Sequence, residues 1–292
     1  MDRKILCIVL CLLPILAQAQ EQNYSEKKHH FIEMFRPLYL TTGLPLTEKP
    51  SWDNSDVKFQ LSFEIPLWRD IKGSGIDILV SYTQISIWNF YAHSSPFFDN
   101  TYIPGIYMRK VWREDDGFPL RTIIAGAEHR SNGRDDAYSR SLNYALVGYS
   151  RSYRSGLVLQ ANLRIGPGWW GDVLNWELPL KYYGLLQMSA TYTTPSRAWE
   201  FVVSASPLWN RSIANVNAEI ARRIGRKHNN PYVFIQFHYG YDEALRECMD
   251  SYGPVIEEDG KVPCLYGTPV PPRAMLRFGI LITPHSTLRG NL

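Results

Sequence analysis

The chain lacks any long hydrophobic run after its first residues. Between residues 20 and 292 no apolar stretch approaches the roughly 20 residues that a transmembrane helix needs, so membrane-spanning helices are excluded from this part. It contains no nucleic-acid, nucleotide or redox motif, and its histidines lack metal-ligand spacing. A formal net charge of +3 on 292 residues does not indicate nucleic acid as a partner.

Cysteine is also scarce, with four residues in the chain. Cys7 and Cys11 fall in residues 1–19, which have a charged start, an apolar run and a small-residue end typical of a secretory signal peptide. The mature chain then keeps only Cys248 and Cys264. In an exported protein such a pair favours one disulfide that closes a loop, with two free thiols as the alternative.

What the chain does have is alternation of apolar and polar residues. From Val57 to Ile65 every odd position is apolar and every even position is polar, which is a strand signal. Twelve such segments follow one another, separated by turn-rich pieces: 36–42, 57–65, 76–88, 103–112, 120–128, 143–153, 157–165, 180–193, 199–209, 213–223, 232–241 and 274–283.

Twelve strands with one apolar face each predict an all-β protein, a twelve-stranded antiparallel transmembrane β-barrel. A large soluble β-sandwich is the alternative, but strands of about ten residues flanked by Trp and Tyr favour the barrel. Residues 36–292 are predicted to be one outer-membrane domain, and residues 20–35 a periplasmic lead-in. The Pro- and Gly-rich tract from Glu247 to Pro272 is too long for a periplasmic turn and is predicted to be an extracellular loop.

One amide interrupts the apolar face of the third strand. The even positions from Ile76 to Tyr82 are apolar or aromatic, and Gln84 follows on the same face. An unpaired amide in hydrocarbon is costly, so a second copy of this face is the simplest partner. A bulge that flips the face is the alternative explanation.

Three residues with catalytic chemistry lie on one predicted hairpin. His129 and Ser131 share a strand face because side chains alternate with period 2. If the chain turns at Asp135, the antiparallel register places Asn143 opposite His129, with Cβ atoms about 5 Å apart. A base, a nucleophile and an orienting amide then meet, although Ser-Asn-Gly-Arg is also a good hairpin tip without catalysis.

The hairpin resembles the outer-membrane phospholipase A family of Gram-negative bacteria. The pattern His-x-Ser-Asn-Gly-Arg followed by Ser-Arg-Ser-x-Asn is matched from His129 to Asn143. Further agreement lies in three stretches between residues 57 and 102: Val57–Ser62 with Pro66–Arg69, Ser81–Gln84, and Ser94–Phe97 with Asn100–Tyr102. The resemblance implies a twelve-stranded barrel with an outward-facing site, in which Ser131 is the nucleophile, His129 the general base and Asn143 its orienter.

The same resemblance implies Ca²⁺ as cofactor and a homodimer as the active form. By motif position, Arg134 and Ser139 would supply calcium ligands from one chain and Ser94 from the other, with Ser95 as the alternative. Gln84 corresponds to the interface glutamine of that family.

The sequence therefore predicts a calcium-dependent hydrolase of acyl esters in glycerophospholipids and lysophospholipids, located in the outer membrane of a Gram-negative bacterium. A porin-like barrel without enzymatic activity and a lipid A deacylase are the alternatives. Two departures from the family concern assembly and lipid access: the chain continues past Phe278 to a polar end at Leu292, and the tract 247–272 is longer than the family norm.

Overall fold

The structure is a computed structural model that describes residues 31–113, 119–134, 141–166, 182–208, 214–225, 230–245 and 272–283. These residues form twelve β-strands and one short 3-10 turn at Ile71–Gly73. The strands are β1 Leu38–Pro45, β2 Asp56–Trp68, β3 Ile76–Trp88, β4 Phe97–Arg113, β5 Leu120–Ser131, β6 Ser141–Ser152, β7 Leu157–Ile165, β8 Leu186–Thr193, β9 Trp199–Pro207, β10 Ala214–Arg223, β11 Tyr232–Gly240 and β12 Arg273–Ile282.

Every strand pairs antiparallel with its neighbours in sequence, and β12 pairs with β1 to close the barrel. The predicted twelve-stranded barrel is thereby confirmed. β3 and β7 have the predicted bounds. β4 begins six residues earlier than predicted, whereas β8 begins six residues later. The reason is that Tyr182 and Tyr183 lie in a helical turn and pack with Tyr241 and Leu245 in the buried cluster inside the barrel. The prediction of strand was therefore wrong at residues 182–185, and residues 180 and 181 lie outside the described part of the chain.

The burial pattern is the reverse of that in a soluble protein. Large apolar side chains point outward and are exposed, such as Ile106 at 52% and Phe278 at 65%, while Arg277 is fully buried inside. A continuous apolar surface around a polar interior is what a membrane-spanning barrel requires. Among the described residues no helix is long and apolar enough to cross a membrane.

The lumen is crossed by buried ion pairs. Glu243, in the segment that follows β11, pairs with Lys58 of β2 at 2.7 Å and with Arg277 of β12. Arg277 also holds Asp56 through two hydrogen bonds of 3.0 and 2.8 Å. These contacts fix the segment 241–245 inside one end of the barrel.

The residues before β1 also enter the barrel. Glu33 forms a β-bridge with Glu64 of β2, and Phe35 is buried against Tyr107 with ring centroids 5.2 Å apart. The last residues of the predicted periplasmic lead-in therefore pack into the lumen. The rest of that segment lies outside the described residues, as do the predicted signal peptide, Cys248, Cys264, residues 247–271 and the polar C-terminal end.

Candidate active site

The hairpin of β5 and β6 has the register that the sequence predicts. His129 is paired with Asn143 and Ser131 with Ser141. The odd positions of both strands point to the outside of the barrel, because the even positions alternate as buried residues. His129, Ser131 and Asn143 thus share the outward face, at the barrel end where β5 ends and β6 begins, which we call the site end.

His129 and Asn143 are joined by a hydrogen bond of 2.5 Å between Nδ1 and Oδ1. With the amide oxygen as acceptor, the proton is on Nδ1 and Nε2 keeps its lone pair. No hydrogen bond joins Ser131 to the ring within the described part of the chain. Such a bond is often formed only when substrate is bound, so the structure brings two of the three residues into contact and places the third beside them.

The turn after Ser131 is shaped by Gly133. Its φ is +64°, and a Cβ atom built there would lie 2.8 Å from the ring of Tyr102 on β4. Glycine is therefore required for two reasons: it allows the left-handed backbone, and it leaves room for the ring of Tyr102. Tyr102 is in turn paired with Ser131 across β4 and β5, so the ring supports the end of β5 that carries Ser131.

A cleft of about 600 Å³ opens on the outer surface beside His129 and Asn143. Small residues form part of its lining, including Gly105, Ala127, Ala145 and Gly166, and Ile106 and Ile165 add apolar walls. Because these residues have small or no side chains, the surface is lower here, and an extended apolar chain can approach the imidazole along the barrel wall.

Behind the site, the opposite face of β5 carries a buried polar cluster that sequence reasoning missed. Glu128 accepts hydrogen bonds from Arg36, Tyr144 and Tyr107, the last at 2.5 Å. Arg130 donates to the Tyr144 hydroxyl at 2.6 Å. Glu128 and Arg130 flank His129 in sequence and point inward, which is the signal that could have predicted a supporting network.

The loop between β3 and β4 has an unusual backbone at the predicted calcium ligand. Ser94 and Ser95 both have positive φ, at 62° and 43°, a conformation that costs non-glycine residues on the order of 1–3 kcal/mol each. The Ser95 carbonyl accepts the indole N–H of Trp88 at 2.7 Å. Within the described residues no donor reaches the Ser94 carbonyl, so the geometry favours Ser94 over Ser95 as a ligand.

Arg134, a second predicted ligand, follows the end of β5. Arg134 is exposed, and its carbonyl accepts no hydrogen bond from the described residues; Ser139 lies outside them. In the described part of the chain no cluster of three or more His, Cys, Asp or Glu side chains could hold a metal ion. Carbonyl and hydroxyl oxygens nevertheless suit a hard cation such as Ca²⁺, so the donors present fit that ion.

Gln84 lies on the outer face of β3, as predicted. Its amide is not unpaired, however, because its Oε1 accepts from the Tyr82 hydroxyl at 3.2 Å and its Nε2 donates to Ser86 at 3.1 Å. It also lies opposite Tyr102, which is opposite Ser131. Gln84 is therefore two strands away from Ser131, about 10 Å at the usual strand spacing.

Known proteins with related sequences and folds are phospholipases. The family model for phospholipase A1 matches residues 18–250. A phospholipase A1 of Proteus vulgaris is 32% identical over 209 residues, which are 68% of this chain and 68% of the relative. The phospholipase A1 of Escherichia coli (strain K12) is 32% identical over 197 residues, covering 65% of this chain and 64% of the relative.

Solved structures agree in fold. The outer membrane phospholipase A from Escherichia coli superposes with a TM-score of 0.67 at 19% identity, covering 86% of this chain and 93% of that one. A Salmonella typhi outer membrane phospholipase, a dimer with bound calcium, gives a TM-score of 0.68 at 20% identity over 92% of this chain and 97% of that one. By its sequence over most of its length and by its twelve-stranded barrel, the chain belongs to the phospholipase A1 family.

Proposed function

We propose that this enzyme hydrolyses the acyl esters of glycerophospholipids and lysophospholipids in the outer membrane of a Gram-negative bacterium, with a Ser131–His129–Asn143 site that depends on Ca²⁺. The observation that carries the proposal is the His129–Asn143 hydrogen bond on the outward face of the barrel, next to Ser131 and an apolar cleft. The family favours phospholipids over lipid A as substrate.

The proposed reaction begins with Ser131. Its Oγ attacks the acyl carbonyl carbon while Nε2 of His129 takes the hydroxyl proton. The imidazolium then gives this proton to the glycerol oxygen as that oxygen leaves. Water repeats the sequence on the acyl-enzyme, so the fatty acid is released and Ser131 regains its proton.

Asn143 holds the imidazole in the tautomer that this step needs. A neutral amide stabilises the imidazolium less than a carboxylate would, so the site benefits from further electrostatic help. The N–H of Gly133 makes no hydrogen bond with any described residue and follows the nucleophile closely, which makes it a candidate oxyanion donor. Bound Ca²⁺ would supply positive charge for the oxyanion, held by Arg134, Ser139 and, from a second copy, the carbonyl of Ser94.

The test is hydrolysis of a diacyl phospholipid by the refolded protein in detergent micelles, with calcium or with excess chelator. We expect chelation to remove activity and Ser131→Ala or His129→Ala to lower it by about three orders of magnitude or more. Ser141→Ala is the matched control, since Ser141 lies opposite Ser131 on the same face and should keep activity. Full calcium-dependent activity in Ser131→Ala would refute the assignment.

We further propose that the active form is a homodimer joined through the Gln84 face. The related Salmonella typhi structure is a dimer with bound calcium, and Gln84 lies in the same cross-strand row as Ser131. In this arrangement the intrachain bonds to Tyr82 and Ser86 are exchanged for bonds to the second copy.

Gln84→Ala should weaken self-association and calcium-dependent activity together, because the partner's Ser94 would be lost from the site. Analytical ultracentrifugation in detergent, run beside the hydrolysis assay, measures both. Gln236→Ala is the control, since Gln236 is also an amide on a strand but is buried in the lumen against Glu219. Unchanged dimerisation and activity in Gln84→Ala would count against this interface.

A further inference from the structure

A second groove lies on the outer surface at the opposite end of the barrel, which we call the far end. Its volume is about 620 Å³. Alanines of three neighbouring strands form part of its lining, at Ala161, Ala190 and Ala205, and larger apolar and aromatic side chains border them: Tyr149, Leu159, Met188 and Val203. All point outward, into the apolar band of the barrel.

The guanidinium of Arg151 lies at the rim of this far-end groove. Arg151, near the end of β6, lines it with its guanidinium 5.1 Å from the centre of the Tyr153 ring. Tyr153 is fixed by the β6–β7 turn, in which its N–H donates to Leu157 at 2.8 Å and its carbonyl accepts from Gly156 at 3.0 Å. The cation is thus held on a rigid aromatic platform.

Arg151 has no anionic partner among the described residues. Its Nε is buried without a hydrogen bond, and no described side chain forms an ion pair with it. A half-buried guanidinium beside hydrocarbon is costly unless an anion meets it, and its planar fork matches a phosphate.

We propose that this groove binds a glycerophospholipid of the periplasmic leaflet, with its phosphate on Arg151 and an acyl chain over the alanine floor. A free phosphate would not explain an apolar trough that leads from the cation toward the middle of the membrane. The groove also takes its lipid from the leaflet opposite the catalytic hairpin. Arg151 is eight residues along β6 from Asn143, or about 27 Å of strand. At a strand tilt of about 40° this is about 20 Å across the membrane, most of the apolar band of a barrel.

A lipid in this groove is therefore held and not hydrolysed. The inference rests on the proposed outer-membrane location, with the far end, where the predicted periplasmic lead-in precedes β1, toward the periplasm. It does not depend on the hydrolytic site. Its failure would leave the catalytic proposal untouched, and loss of activity in Ser131→Ala would not bear on it.

The experiment uses the full refolded barrel in neutral detergent with chelator, and a dialkyl ether phosphatidylglycerol, whose ether links offer no ester to cleave. Native mass spectrometry counts the lipids retained per monomer during a titration. We expect one saturable lipid on the unaltered protein. Arg151→Gln should weaken its binding about tenfold, the usual size of a lost charge-assisted hydrogen bond.

Two further variants separate the phosphate contact from the groove. Ala190→Phe fills the trough while keeping Arg151 and should weaken lipid binding as well. Arg222→Gln is the matched control, because Arg222 also lies on the outer face at the far end, 5.2 Å from the ring of Trp199, but does not line the groove. It should retain the lipid, and all three variants should keep calcium-dependent hydrolysis, which shows that they fold.

Three outcomes would overturn the proposal. Equal losses in Arg151→Gln and Arg222→Gln would mean a general attraction to the basic edge. Equally tight binding of an ether diacylglycerol, which lacks phosphate, would mean that the cation plays no part. Normal lipid binding in Ala190→Phe, together with displacement of the lipid by inorganic phosphate, would mean an anion site without a lipid groove.

Discussion

At the scale of single residues, Gly133 shows how tightly the catalytic hairpin is built. Its positive φ is one constraint and the ring of Tyr102 is the other. Gly73 and Gly75, in the turn between β2 and β3, have similar φ values of +75° and +71°, but a Cβ atom there would meet nothing within 4 Å. A comparison of Gly133 with Gly73 and Gly75 can therefore distinguish the effect of backbone strain from the effect of a steric contact.

Gly133→Ala should lower hydrolysis strongly, because the added methyl group strains the backbone and pushes Tyr102 away from the end of β5. Gly73→Ala carries the same backbone strain, on the order of 1 kcal/mol, at the far end of the barrel. We expect it to lower stability slightly and to leave kcat unchanged. Hydrolysis assays beside thermal unfolding measure the two effects, and similar kcat values for both variants would disprove the role of the Tyr102 contact.

At the scale of elements, β5 has two faces with different tasks. Its residues His129 and Ser131 lie on the outer face of the barrel, while its inward residues Glu128 and Arg130 join the buried cluster with Tyr107 and Tyr144. Fixing the inward side chains restricts the strand, so the outward imidazole is held where Asn143 can bind it. The position of His129 thus depends on the buried side chains of the lumen as well as on the hairpin.

Glu128→Gln should therefore reduce both stability and kcat. Breaking a buried ion pair from one side costs on the order of 3–5 kcal/mol, and the loosened β5 should misplace His129. Glu64→Gln is the matched control, since Glu64 is equally buried and pairs with Arg109 at 2.8 Å without touching the hairpin. We expect it to reduce stability alone. A Glu128→Gln enzyme with unaltered kcat and lowered unfolding temperature would show a purely structural role.

At the scale of the whole molecule, the lumen is occupied from both ends. The segment before β1 brings Phe35 and Arg36 against Tyr107 and Glu128, and the segment after β11 brings Glu243 between Lys58 and Arg277. A porin needs a continuous aqueous lumen. The described residues instead fill it with side chains, which agrees with the family and not with the porin-like alternative.

We expect no stepwise conductance from the protein in planar lipid bilayers, at pH 7 or at pH 5. Burial raises the pKa of the Glu243 carboxyl, but Arg277, His238 and Lys58 outweigh it and hold that pKa well below its usual range. A depressed carboxyl pKa stabilises the fold above the unfolded pKa and loses this contribution only as the pH falls toward the folded value. The ion pairs should therefore persist at pH 5, and a pore that opens between pH 7 and pH 5 would contradict this account.

The sequence by itself determined most of the strands, their outward faces and the register of the β5–β6 hairpin. Period-2 alternation is local, and a hairpin with a short turn has few registers, so the pairing of His129 with Asn143 follows from nearby residues. The two largest boundary errors are at β4, which begins six residues earlier than predicted, and at β8, where Tyr182 and Tyr183 take a helical turn to reach the interior cluster.

Only the tertiary structure decided which distant charges meet and which carbonyls stay unpaired. Asp56 and Arg277 are 221 residues apart, and their contact depends on barrel closure between β1 and β12. Likewise, the Trp88 indole reaches the carbonyl of Ser95 and not that of Ser94, and Arg151 is left beside an apolar groove. The physical reason is that closure, strand tilt and side-chain packing are set by the whole ring of strands, whereas alternation and hairpin register are set strand by strand.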